Sequence, residues 1–84
     1  MVMPTVVVVR GFRVRVHFNE DGDAPHVHVF KDGREYRVRL CDDGAELMTS
    51  GGREKRTVAE ARIAVQIVEA HLIECWIEWK TWHP

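Results

Sequence analysis

His26 and His28 stand two positions apart in the run Ala24-Pro25-His26-Val27-His28-Val29-Phe30. In a strand, residues i and i+2 share a face, so the two imidazoles are expected side by side, with Val27 and Val29 turned the other way into a core. Imidazole titrates near neutral pH. A pair of them suits metal-independent RNA cleavage, one ring taking a proton from a 2′-hydroxyl and another protonating the leaving oxygen. Arginines beside them would stabilise charge on the phosphoryl oxygens. His17 joins this candidate catalytic set of His17, His26 and His28. The same types permit a plainer reading, in which half-exposed histidines and arginines make up the polar face of a sheet. A metal site built from the three histidines is a further alternative. It lacks a well-placed carboxylate or cysteine, and nearby arginines repel a cation. No cofactor and no metal are expected.

The surrounding chain supplies the strands that would position these groups. Thr5-Val6-Val7-Val8-Val9 is a β-branched run, and Gly11 breaks it. Phe12 to Phe18 alternates, with Phe12, Val14, Val16 and Phe18 facing the core and Arg13, Arg15 and His17 opposite. Residues 19–25 read as a loop of turn-forming residues. After the histidine strand comes Asp32-Gly33, the pair preferred in a two-residue type I′ hairpin. That turn sets Lys31 against Arg34, Val29 against Tyr36, His28 against Arg37 and His26 against Arg39. One face therefore collects Arg13, Arg15, His17, His26, His28, Arg37 and Arg39. The arginines are the candidate phosphate-binding or nucleic-acid-binding residues, with Glu35 and Phe30 at the margin. Aromatic residues for stacking bases are few on this face.

Asp42-Asp43-Gly44 is a turn, and Ala45 to Thr49 reads as a short fifth strand or a helical turn. Ser50-Gly51-Gly52 is a link without P-loop spacing. Thr57 and Glu60 have capping-box spacing, and no glycine or proline follows until Pro84, so one helix is expected from Val58 to about Lys80. Val58, Ala61, Val65, Val68, Leu72, Cys75, Trp76 and Trp79 are expected to cover the sheet. Ile63, Ile67, Ala70 and Ile77 form a second apolar stripe, expected to meet a second copy of the chain or a cognate small protein.

The fold expected is α+β: an antiparallel meander of four or five strands with one long C-terminal helix packed on one face. The 84 residues leave room for a single domain, with the sheet at about 5–48 and the helix at about 58–80. The net charge is -1, yet residues 1–40 carry seven Lys/Arg against five Asp/Glu, which makes the first half the side for an anionic partner. Cys41 and Cys75 fit no zinc or redox spacing. No stretch approaches the ~20 apolar residues of a membrane helix, and the first ten residues lack a basic start. A cytoplasmic protein with no membrane partner is expected.

Met3-Pro4-Thr5-Val6, Gly11-Phe12-Arg13, Pro25-His26-Val27-His28-Val29 and the late Trp76 and Glu78 together resemble the DUF4160 family of short bacterial proteins. Members often have a second proline where this chain has Ala24. The resemblance implies no settled activity; it does imply a component of a toxin–antitoxin-like pair. The function expected is RNA binding or cleavage through the histidine–arginine face. The alternative is a non-catalytic interaction module, either an antitoxin or a partner-binding subunit.

Overall fold

The computed structural model describes residues 4–17, 24–52 and 58–84. Five strands, β1 (Thr5–Val9), β2 (Phe12–Arg15), β3 (His26–Lys31), β4 (Arg34–Leu40) and β5 (Ala45–Gly52), form one antiparallel sheet in the order of the chain. The α+β meander is thus as expected, and the segment after Gly44 is a strand rather than a helical turn. Phe18 and Thr57, assigned above to the core and to a helix cap, lie outside the described residues.

Two tight turns set the register. Asp32 and Gly33 have φ of 48° and 81°, and Arg10 and Gly11 have φ of 50° and 80°. Positive φ at both central residues is the type I′ geometry, whose twist matches that of the flanking strands. Gly11 was expected only to interrupt the chain; with Arg10 it makes the second such hairpin. The first turn delivers the expected pairs: Lys31 with Arg34, Val29 with Tyr36, His28 with Arg37 and His26 with Arg39. β2 then sets Arg15 beside His28, Val14 beside Val29 and Arg13 beside Phe30.

The helical part differs from expectation. Instead of one long helix there are two, α1 (Val58–Ala70) and α2 (Leu72–Trp82), separated at His71. His71 has φ -120° and ψ 30°, and its N–H is shared between the carbonyls of Ile67 and Val68. Glu60, near the start of α1, accepts hydrogen bonds from Arg34 and Tyr36, beside the β3–β4 turn. Glu69, near its end, accepts a hydrogen bond from the Ala45 N–H at the β4–β5 turn. The helix therefore runs along the β4–β5 side from one end of the sheet to the other. α2 continues past that far end, where the Trp76 indole donates to the Cys41 carbonyl at 3.0 Å.

The core joins Phe12, Val14, Val16, Val27, Val29, Tyr36, Val38 and Leu40 of the sheet to Ala64, Ile67, Val68, Cys75 and Trp79 of the helices. This corrects the assignment of the helix faces. Ile67, placed above on the outward stripe, is 7% exposed and belongs to the core, and Ile63 packs partly against it. Val58, expected to cover the sheet, is exposed, as are Ala70 and Ile77. The difference lies within α1, whose buried residues are Ala64, Ile67 and Val68; in α2 the expected Leu72, Cys75, Trp76 and Trp79 do pack on the core. Among the described residues no helix is long and apolar enough to cross a membrane.

Candidate functional site: an arginine-lined face over a buried histidine array

The register of β2, β3 and β4 puts Arg13 and Phe30 in one row across the sheet, Arg15, His28 and Arg37 in the next, and His26 and Arg39 in the third. All seven are on the face expected. Their exposure is not. His26 and His28 are each 1% exposed, whereas the sequence placed them on a solvent face. The correction has a visible cause. The His17 ring lies flat on His28, with centroids 3.5 Å apart and planes 3° from parallel. His26 sits 5.0 Å from His28 on one side and 5.5 Å from the Trp79 ring on the other. Trp79 is itself stacked on His83 at 3.6 Å. Rings from β3, from the residues following β2 and from the end of α2 thus form one continuous array. His83 is half-buried within this array.

Hydrogen bonds fix the tautomers. The Ala24 carbonyl can only accept, so His26 Nδ1, at 2.7 Å, carries a proton. His28 Nδ1 donates to the Glu35 carboxylate at 2.6 Å, and His83 Nδ1 donates to the Trp79 carbonyl at 3.0 Å. Glu35, marginal in the sequence reading, is therefore the partner of His28. A general base must come within about 3 Å of the proton it removes. His26 and His28 are closed off from solvent, while His17 and His83 at the ends of the array are half-buried.

The arginines do reach solvent. Arg13, Arg37 and Arg39 are exposed and Arg15 is half-buried. Arg39 pairs with Glu46 at 3.1 Å. Among the described residues, Arg13, Arg15 and Arg37 have no carboxylate within ion-pair distance, and Arg15 Nε is buried with no hydrogen-bond partner. Beside them is an open hollow of about 490 Å³ lined by Val8, Gly11, Arg13, Arg15, Phe30 and Asp32. Its wall brings together the guanidinium donors of Arg13 and Arg15, the aromatic ring of Phe30, the Asp32 carboxylate and the apolar Val8 side chain. The sequence reading named the arginines and Phe30 but missed the concavity, which depends on how β1 lies against β2.

No group of three or more His, Cys, Asp or Glu side chains among the described residues is arranged to hold a metal ion.

A second polar cluster lies on the helix side. Arg34 and Tyr36 both bind Glu60, with Arg34 Nη2 at 2.8 Å from the carboxylate. The Arg34 hydrogen bond holds Glu60 below the usual carboxylate range, with help from Tyr36, and Glu60 in turn raises Arg34. Burial, then the Glu60 bond, pushes the Tyr36 phenol up to about 12. Glu60 had been read only as a capping residue. Its wider role had a signal: Arg34 shares the strand parity of Tyr36, Val38 and Leu40, and a cation on the core side requires a partner.

A family described as a domain of unknown function, DUF4160, matches residues 11–77. The chain belongs to the DUF4160 family. The matched span contains β2 to β5, α1 and the first half of α2, hence the arginine face, His26, His28 and the Glu60 cluster. Trp79 and His83, which close the histidine array in this DUF4160 member, fall beyond it. No curated protein and no solved structure matches the chain.

Proposed function

We propose that this DUF4160 protein binds RNA, without cleaving it, on the face formed by Arg13, Arg15 and Arg37 beside Phe30, and that it acts as a cytoplasmic component of a toxin–antitoxin-type pair. The carrying observation is the set of three arginines with no acidic partner among the described residues, two of which, Arg13 and Arg15, line one hollow. Guanidinium groups make bidentate hydrogen bonds to phosphate oxygens, and a lone aromatic can take one base face. The burial of His26 and His28 favours binding over ribonuclease chemistry. The toxin–antitoxin role rests on the family resemblance. A second reading, a protein-interaction module, draws on Ile73 and Ile77, which are 72% and 59% exposed one turn apart on α2.

The test is titration of a short fluorescent single-stranded RNA at several salt concentrations. Three phosphates neutralised per chain give a slope of log K against log salt of about -2. Arg13→Ala and Arg37→Ala should each weaken binding and reduce the magnitude of that slope by roughly 0.7. Absent or salt-independent binding would reject the RNA reading and favour the protein-interaction module.

A further inference from the structure

The outer edge of β1 borders the same hollow. Val9 and Phe12 close the two-residue Arg10-Gly11 turn. In such a hairpin the closing pair exchanges both of its hydrogen bonds, so the backbone N–H and C=O of Val9 point to β2. Those of Val8 then point outward, away from the sheet. The Val8 side chain is 57% exposed and lines the hollow. The ladder irregularity in β1 lies between Thr5 and Val7, which leaves Val7–Val9 regular.

We propose that β1 pairs antiparallel with β1 of a second copy of this chain, and that the two arginine-lined hollows then become one groove. The occupant of the edge must be a strand, because the groups on offer are backbone donors and acceptors. The sequence Thr-Val-Val-Val-Val has no charge, so a two-fold pairing sets no like charges opposite each other. An acidic or basic peptide would find no counter-charge within the strand. The other sheet edge is less suited: β5 exposes Glu46, committed to Arg39, and α1 lies along that side of the sheet. With Val8 opposite its mate, the two residues exchange two hydrogen bonds and their side chains meet on the groove floor. Arg13 of each copy is one strand further out. The two are separated by three strand spacings, or about 14 Å. Joined in this way, the face offers twice as many guanidinium groups to one extended anionic strand. Only this last step rests on the RNA binding proposed above.

The first measurement is sedimentation without RNA at about 100 µM, a concentration suited to a small interface. The wild type is expected to be dimeric and Val8→Pro monomeric, since proline removes the outward N–H and leaves the β1–β2 bonds in place. Ile77→Glu is expected to remain dimeric. The second measurement is oxidation of Val8→Cys in a Cys41→Ser background. Directly opposed, hydrogen-bonded residues have Cα atoms about 5.5 Å apart, within disulfide range, so a covalent dimer is expected. A monomeric wild type that also gives no Val8→Cys crosslink would overturn the proposal. So would a dimer that survives Val8→Pro and is lost in Ile77→Glu. If the dimer forms but no RNA binds, the pairing stands and the RNA reading fails. If both hold, Val8→Pro should weaken RNA binding about tenfold or more by removing the second half of the groove.

Discussion

His28 is held by the stacked ring of His17 and by the carboxylate of Glu35, and it is closed off from solvent. Removing that ring leaves a cavity and takes the donor away from a half-buried carboxylate. His28→Ala is therefore expected to lower unfolding free energy by about 2–4 kcal/mol in urea titrations. A purely functional surface histidine would give almost no change. His26→Ala should behave similarly, because its ring fills the space between His28 and Trp79. The alternation of Pro25-His26-Val27-His28-Val29 made the shared face of the two rings legible in the sequence. Their burial was not legible. It depends on Trp79, more than fifty positions away, and nothing local indicates where a distant tryptophan will land.

Among the elements, α1 and α2 show how one residue changes the reading of a helix. Ala70-His71-Leu72 contains no glycine or proline, so continuity was the natural expectation. Within α1 the buried residues are Ala64, Ile67 and Val68, so Ile67 counts with the core, and Ile77 of α2 remains outside. Ile67→Glu would bury a carboxylate and should cost about 3 kcal/mol or more, whereas Ile77→Glu should stay within about 0.5 kcal/mol. Thermal melts of the two variants check this, and equal effects would contradict the assignment of faces. The strands were more legible than the helices because Asp32-Gly33 fixes a register that then propagates across β3 and β4. Arg10-Gly11 makes the same turn type without the composition that usually announces it.

At the scale of the whole molecule, Glu60 ties the start of α1 to β4 and makes stability depend on pH. Its folded pKa lies below the ordinary value of 4.5, chiefly through Arg34. The sign follows: its contribution is complete above about pH 4.5 and is lost as pH falls through the lowered folded value. Glu60→Gln should therefore be less stable than wild type at pH 7, and the gap should narrow at pH 3. Denaturant titrations at the two pH values measure it; a gap that widens in acid would contradict it. At the alkaline end Tyr36 acts in the opposite sense. Its phenol is raised to about 12, so its contribution is lost as pH climbs from 10 toward that value. Cys75, pushed up to about 12 by burial, remains a thiol at neutral pH.

The strand order also implies a sequence of events in time. Every strand pairs with its neighbour in the chain, and two of the four connections are two-residue turns. Such hairpins close within microseconds, long before a ribosome adds another residue. The sheet can thus assemble before α1 and α2 dock on it, with Val14, Val27, Val29 and Val38 bare on one side. Until they dock, a wet apolar surface waits for its cover. Trp79 and His83, more than fifty residues further along the chain than His26 and His28, complete the enclosure of those rings.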